Sequence, residues 1–179
     1  LCLYGEKGAA SIVANAVRQK KGWDEGWHYT GMGQFGMCMS RLDALVIALG
    51  NAKDPASLAV ILEKARLLCP EDYFSHYRAI SEAAEAIGSK EAVPTLAMLL
   101  TAPGVRCHSL KDYVEARREA VPDMNDTSTR NMALKELHLA RALYLCGDKE
   151  GIGKAVLEHY AKGLQGHYAR YAYEVLQGK

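Results

Sequence analysis

The residues that most often carry catalysis are dispersed along this chain of 179 residues. Its six histidines form no HExxH pattern, and GxSxG, P-loop and kinase signatures do not occur in the sequence. Cys107 and His108 are adjacent, but a zinc site would need further ligands from distant parts of the chain. Glu82 and Glu85 have basic residues nearby, and at helical spacing such neighbours favour ordinary ion pairs. The sequence therefore predicts no metal site and no self-contained active site, and whether the chain belongs to an enzyme stays open.

The segment from Gly22 to Met39 differs in composition from the rest of the chain. It contains both tryptophans, one of the two phenylalanines and five glycines, and it has neither a helical nor a strand period. Long irregular loops in compact domains are often functional. Two interpretations stay open: its aromatic residues cover the end of a helical array, as atypical terminal repeats do, or they form a ligand or partner surface. The binding residues predicted by the second interpretation are Trp23, Trp27, His28, Tyr29 and Phe35.

One part of this segment, from Gly31 to Gly36, formally matches the GxGxxG pattern. That pattern binds a dinucleotide when it follows a β-strand and opens a helix in a βαβ unit. The preceding residues are a poor strand candidate, and nothing downstream alternates strand with helix. We therefore predict no cofactor in this chain. Ser40 and Asp43 instead have the spacing of a helix N-cap pair, and glycine amides leading into that helix could hold an anion.

The elements that must position these residues are short amphipathic helices. Apolar residues recur at helical spacing from Arg78 to Gly88, where the glycine ends the helix. A second helix is predicted from Ser89 to about Thr101, and Pro94 is tolerated only close to its start. A helix pair with one apolar face cannot bury that face alone, so the pattern predicts stacking on neighbouring pairs.

Similar units occur on both sides of this helix pair. Gly50 and Gly147 close comparable helices and, with Gly88, are predicted to mark equivalent corners. The interval of 38 residues from Gly50 to Gly88 is near the period of two-helix solenoid repeats, and the next interval is 59 residues. The difference predicts an insertion near 102–129. Residues 40–179 are thus expected to form helical repeats, with residues 1–39 packed on them as an N-terminal helix and loop.

This pattern resembles the HEAT-like repeats of the phycobilisome-lyase type. The residues that carry the resemblance are Arg78, Ala83, Ala84, Ile87, Gly88, Ala92, Val93, Pro94 and Leu96. The resemblance implies an all-α fold, an α-α superhelix in which antiparallel helix pairs form a short solenoid with an irregular Gly/Trp-rich loop near its N-terminus. Such repeats serve many binding roles. The leading hypothesis is therefore a non-catalytic binding or scaffold module with a protein partner.

A second resemblance concerns the segment from Gly22 to Gly36, which is loosely similar to the C-terminal region of bacterial FAD-dependent oxidoreductases. It implies an accessory domain whose FAD is bound by an upstream domain, against which Trp23, Trp27, His28 and Tyr29 would lie. The chain begins without Met, and we expect it to be part of a longer protein. A third hypothesis, a lyase acting on tetrapyrrole attachment, has only the repeat pattern in its favour.

Composition excludes some classes of partner. Lys and Arg number 22 against 21 Asp and Glu, so the net charge gives no reason to expect binding to nucleic acid or to an anionic membrane. The longest apolar run, Val93 to Val105, is interrupted by prolines and is too short to span a bilayer.

The five cysteines form no CxxC pair, which makes a disulfide framework unexpected. Cys69 and Cys146 are predicted to be small core residues.

Overall fold

The computed structural model describes residues 7–23, 39–106, 128–163 and 166–178. These ranges contain eight α-helices and no β-strand, so the prediction of an all-α chain is confirmed for them. The helices are α1 (Ala10–Gln19), α2 (Arg41–Asn51), α3 (Leu58–Ala65), α4 (Phe74–Ile87), α5 (Val93–Thr101), α6 (Ser128–Cys146), α7 (Ile152–Gly163) and α8 (His167–Leu176). Short 3₁₀ turns at Lys7–Ala9, Pro55–Ser57 and Lys90–Ala92 lead into α1, α3 and α5.

Helix α4 is the centre of the helix packing. It lies between α2 and α6, while α6 also contacts α5 and α7, and α7 in turn packs on α8. The side chains of Tyr77, Ile80 and Ala84 on α4 are fully buried. Both sides of α4 are covered because its apolar residues recur around more than one face, and burying them supplies the main driving force for the packing.

The glycines at the predicted corners have two different roles. Gly88 ends α4 with a φ of 68°, and Gly147 follows α6 with a φ of 121°, so both occupy the left-handed region that favours glycine. Gly50 lies inside α2, and the prediction that it marks a corner is wrong. A β-carbon at Gly50 would lie 2.4 Å from Cα of Ala83, so this glycine instead allows α2 to approach α4 closely.

Three helix starts, those of α2, α5 and α7, follow the sequence rules. The Ser40 hydroxyl accepts a hydrogen bond from the Asp43 backbone N–H at 3.0 Å, and the Asp43 carboxylate accepts one from the Ser40 N–H at 2.7 Å, which confirms the predicted cap. Pro94 occupies the first turn of α5, as expected from its lack of a backbone donor. The carboxylate of Asp148 accepts hydrogen bonds from Gly153 N and Lys154 N at the start of α7.

The two cysteines within the described ranges have opposite environments. Cys146 is buried at the end of α6, as predicted, and burial raises the pKa of its thiol to about 11. Cys69 is exposed, so its assignment to the core is wrong. It lies in the link between α3 and α4, where its backbone N–H and carbonyl are held by Asp72 and Tyr77, while its side chain faces solvent.

One prediction falls mainly on residues outside the described ranges. The predicted insertion near 102–129 falls mostly on residues 107–127, which lie outside the described ranges.

Among the helices that are described, none is both long enough and apolar enough to cross a membrane.

Candidate functional site

Trp23 is the one predicted site residue within the described ranges. Its ring stacks on the imidazole of His76 with 4.6 Å between centroids and an interplanar angle of 24°. Its indole N–H donates a hydrogen bond of 3.0 Å to the carbonyl of Lys64, and its side chain is half-buried against the core. Trp23 therefore joins the end of α1 to α3 and α4, which favours the interpretation that it covers the end of the helical array.

The other four predicted binding residues, Trp27, His28, Tyr29 and Phe35, lie outside the described residues. Their assignment to a binding surface therefore stays a prediction. The described residues that flank this segment both contact α4, since Trp23 stacks on His76 and Met39 accepts a weak hydrogen bond of 3.7 Å from Arg78 at its sulfur.

Beneath Trp23 lies a buried carboxylate–imidazole pair. Oδ1 of Asp43 is 2.6 Å from Nδ1 of His76, while Oδ2 of the same carboxylate holds the N-cap hydrogen bond from Ser40. A carboxylate that orients an imidazole in this way is common in catalytic sites. Here the side chains of His76 and Asp43 are only 3% and 0% exposed, so a substrate has no access to either. The pair instead links α2 to α4 through a satisfied buried contact.

A more accessible group of side chains, some half-buried and some exposed, lies on α4, α6 and α8. We call it the α4–α6 face and define it by Phe74, Arg78, Glu82 and Glu85 on α4, His138, Arg141 and Leu145 on α6, and Tyr171 on α8. Within each helix these residues follow a spacing of three or four, so they share one side of that helix. Direct contacts between residues of different helices, described next, join the three sides into one surface.

His138 lies at the centre of this face. Its ring is 5.3 Å from that of Phe74 and 5.9 Å from that of Tyr171, measured between centroids. Burial lowers the pKa of His138 to about 4, and the positive charges of Arg78 and Arg141 contribute in the same direction. The imidazole is therefore neutral at physiological pH and acts as a third aromatic ring in the row.

Arg141 and Glu85 connect α6 to α4 beside this row of rings. The Nε and Nη2 atoms of Arg141 donate to the two carboxylate oxygens of Glu85 at 2.9 and 2.7 Å. Nη1 of Arg141 lies 3.4 Å from the hydroxyl of Tyr171, and its guanidinium carbon is 5.6 Å from the centre of that ring. The hydrogen bonds to Glu85 are the main cause that raises the pKa of Arg141. A two-pronged contact of this kind fixes both side chains in one geometry.

Further buried polar pairs stabilise the packing without reaching this face. Tyr160 donates a hydrogen bond of 2.8 Å to Glu136, and burial raises the pKa of its hydroxyl. Lys135 donates one of 2.6 Å to the carbonyl of Pro70 and lies 4.9 Å from the ring centre of Tyr77, while burial lowers its pKa. These groups tie neighbouring helices together.

The α4–α6 face combines aromatic rings with arginine and carboxylate side chains. Aromatic rings and arginine are enriched where protein interfaces concentrate their binding energy. The described residues contain no group of three His, Cys, Asp or Glu side chains that could hold a metal ion. The predicted ion pairing at helical spacing is confirmed for Glu82, which lies 3.6 Å from Arg78. Glu85 instead pairs with Arg141 on another helix, a contact that the sequence did not indicate. The sequence also did not reveal the face, although the spacing of His138, Arg141 and Leu145 was a signal that could have identified it.

Comparisons with known proteins do not assign the chain to a group. No family model matches it, and no curated protein and no solved structure matches it either.

Proposed function

We propose that the chain is a non-catalytic helical binding module that contacts a protein partner through the α4–α6 face. In this proposal its helices form a short α-solenoid of HEAT-like pairs. The succession of contacts from α2 to α4 and from α4 to α6 supports that arrangement, because stacked repeats contact mainly their neighbours.

The observation that carries the proposal is the half-buried row of aromatic rings and guanidinium groups that α4, α6 and α8 share. His138, Phe74 and Tyr171 are held in place by each other and by the contact of Arg141 with Glu85. A surface that is already ordered loses little side-chain entropy on binding, and this raises the affinity available from a given contact area.

A charge introduced on this face tests the proposal. Leu145 lies four residues after Arg141 on α6 and is 45% exposed, while Met98 on α5 is 49% exposed and lies outside the face. Glutamate at either position leaves the core intact, so Met98→Glu is a matched control for Leu145→Glu. Burying an unpaired charge in an interface is costly, so the first variant should lose at least about tenfold in affinity.

The measurement is a titration of a purified partner, isolated first by affinity capture with the parent chain. Binding that weakens with Leu145→Glu but not with Met98→Glu supports the α4–α6 face. Equal affinity of the two variants would show that the partner binds elsewhere.

A second candidate function is an accessory domain of a bacterial FAD-dependent oxidoreductase, with the partner supplied by an upstream domain of the same protein. Its support is that Trp23, within the resembling segment, and Met39, shortly after it, contact His76 and Arg78 in the first half of α4. The complete coding sequence tests it. An upstream flavin-binding domain would favour it, and a gene that begins close to Leu1 would remove it.

A further inference from the structure

The two arginines of the α4–α6 face differ in how their hydrogen-bonding capacity is used. Arg141 presents its Nε–Nη2 edge to Glu85 and makes two short hydrogen bonds with it. Arg78 has the same edge, but its Nε atom is 3.6 Å from Oε1 of Glu82, which is too long for a hydrogen bond. Its Nη2 atom donates a weak hydrogen bond of 3.7 Å to the sulfur of Met39.

The Nε atom of Arg78 is buried and has no hydrogen-bond partner in the described part of the chain. Leaving a charged donor shielded from water without an acceptor is unfavourable. Two partly exposed side chains lie beside this edge: Met39 is 38% exposed and the side chain of Glu82 is 44% exposed. A ligand oxygen could therefore reach this edge after a side-chain rotation, without a change in the helices.

We propose that the α4–α6 face binds an acidic segment of a partner protein, whose Asp or Glu carboxylate occupies the Nε–Nη2 edge of Arg78 while a neighbouring apolar side chain contacts Phe74. This inference rests on the proposed function and names the partner's chemistry. Phe74 precedes Arg78 by four residues on α4, so the apolar contact and the carboxylate contact lie side by side.

Charge on the face favours a single carboxylate over a polyanion. Glu85 neutralises Arg141, and Glu82 remains close to Arg78, so the face has no net positive charge. Nucleic acids and anionic membranes are bound by clusters of uncompensated basic residues. A planar guanidinium edge flanked by apolar groups instead matches one carboxylate in a peptide, which is the arrangement that Arg141 and Glu85 already display within the chain.

The test begins with selection from a phage-displayed library of random linear peptides on the folded parent chain. We expect the enriched peptides to share an Asp or Glu beside an aromatic or aliphatic residue. The best peptide is then synthesised together with a counterpart in which the shared carboxylate is replaced by its amide. Affinities are measured by fluorescence anisotropy.

Four variants decide the geometry. Arg78→Gln and Arg78→Lys should each weaken binding of the acidic peptide by about tenfold or more, because lysine keeps the charge but lacks the planar edge. Glu82→Gln should strengthen binding by about twofold, since it removes a competing carboxylate. Arg66→Gln, at an exposed position after α3, is the control and should leave affinity unchanged. The amide counterpart should bind the parent as weakly as the acidic peptide binds Arg78→Gln.

The outcomes separate this inference from the proposed function. Peptides that lose affinity with Leu145→Glu but are indifferent to Arg78→Gln, or that carry no shared carboxylate, would overturn the inference and leave the binding face standing. Full affinity of Arg78→Lys would likewise overturn the two-pronged contact. If no peptide is enriched, or if the enriched peptides bind Arg78→Gln as tightly as the parent, the inference fails. The partner titration with Leu145→Glu and Met98→Glu decides the proposed function separately.

Discussion

Acidification should destabilise the protein through His138, which lies between the rings of Phe74 and Tyr171. The pKa of His138 is lowered from an ordinary value of 6.5 to about 4 in the folded state. Between these two values the unfolded chain binds a proton that the folded chain does not bind. Stability contributed by the neutral imidazole is therefore complete above about pH 6.5 and is lost progressively as the pH falls toward about 4.

The size of the effect follows from the shift. The lowering of the His138 pKa from 6.5 to about 4 corresponds at most to about 3 kcal/mol, since a tenfold change in proton affinity is worth about 1.4 kcal/mol. Most of this is already lost at about pH 5, where the unfolded histidine is almost fully protonated. We therefore expect about 2 kcal/mol of the chain's stability to disappear through this residue between about pH 7.5 and about pH 5.

The assay is urea unfolding followed by far-UV circular dichroism at both pH values, for the parent and for His138→Gln. The variant removes the titrating group but keeps a side chain of similar size. Between about pH 7.5 and about pH 5 the parent should lose about 2 kcal/mol more stability than the variant does. This holds whatever the substitution costs at neutral pH. Because His167 is exposed on α8, His167→Gln controls for the loss of an imidazole as such. An equal stability difference between the parent and His138→Gln at both pH values would show that the pKa of His138 is not lowered by folding.

Other substitutions test the packing and can be measured by the same unfolding assay. Gly50→Ala should destabilise by about 1–3 kcal/mol, because its β-carbon would collide with the Ala83 backbone; unchanged stability would mean that α2 and α4 are further apart. Gly88→Ala should cost about 1 kcal/mol through its positive φ alone, since its β-carbon would meet nothing closer than 3.8 Å, so a larger loss would indicate a different helix end. Leu99→Ala should cost about 2–5 kcal/mol, because Leu99 is 3% exposed, and a loss below about 1 kcal/mol would place it outside the core. Trp23→Ala should cost about 1–3 kcal/mol by removing the stack on His76 and the hydrogen bond to Lys64; intact stability with weaker partner binding would restore the interpretation of Trp23 as a binding residue.

Local sequence signals predicted the helices well. The period of apolar residues, the Ser40–Asp43 cap and the position of Pro94 each depend on residues within a few positions of one another. Such signals act through the geometry of a single helix, and they are therefore readable without knowledge of the fold. Gly88 belongs to this group, since its left-handed conformation ends its own helix.

Gly50 shows where local reasoning fails. In sequence it follows Ala-Leu as Gly88 follows Ala-Ile, and both were expected to end a helix. The difference is that Gly50 faces Ala83 of another helix at a distance that leaves no room for a β-carbon. Cys69 was misassigned for a related reason, because its apolar neighbours do not reveal which side of the link between α3 and α4 faces solvent.

Local sequence patterns predicted the helical character of the described residues and the helix end at Gly88, and composition showed the balance of charge. Which side chains meet depends on the tertiary structure. Asp43 and His76 are separated by 33 positions, and Glu85 and Arg141 by 56, yet each pair is in direct contact. Contacts at such separations are set by how whole helices pack rather than by local preference, because packing selects which face of each helix is buried and which is left to solvent. The packing of α4, α6 and α8 thus creates the α4–α6 face and leaves the Nε atom of Arg78 without a hydrogen-bond acceptor in the described part of the chain.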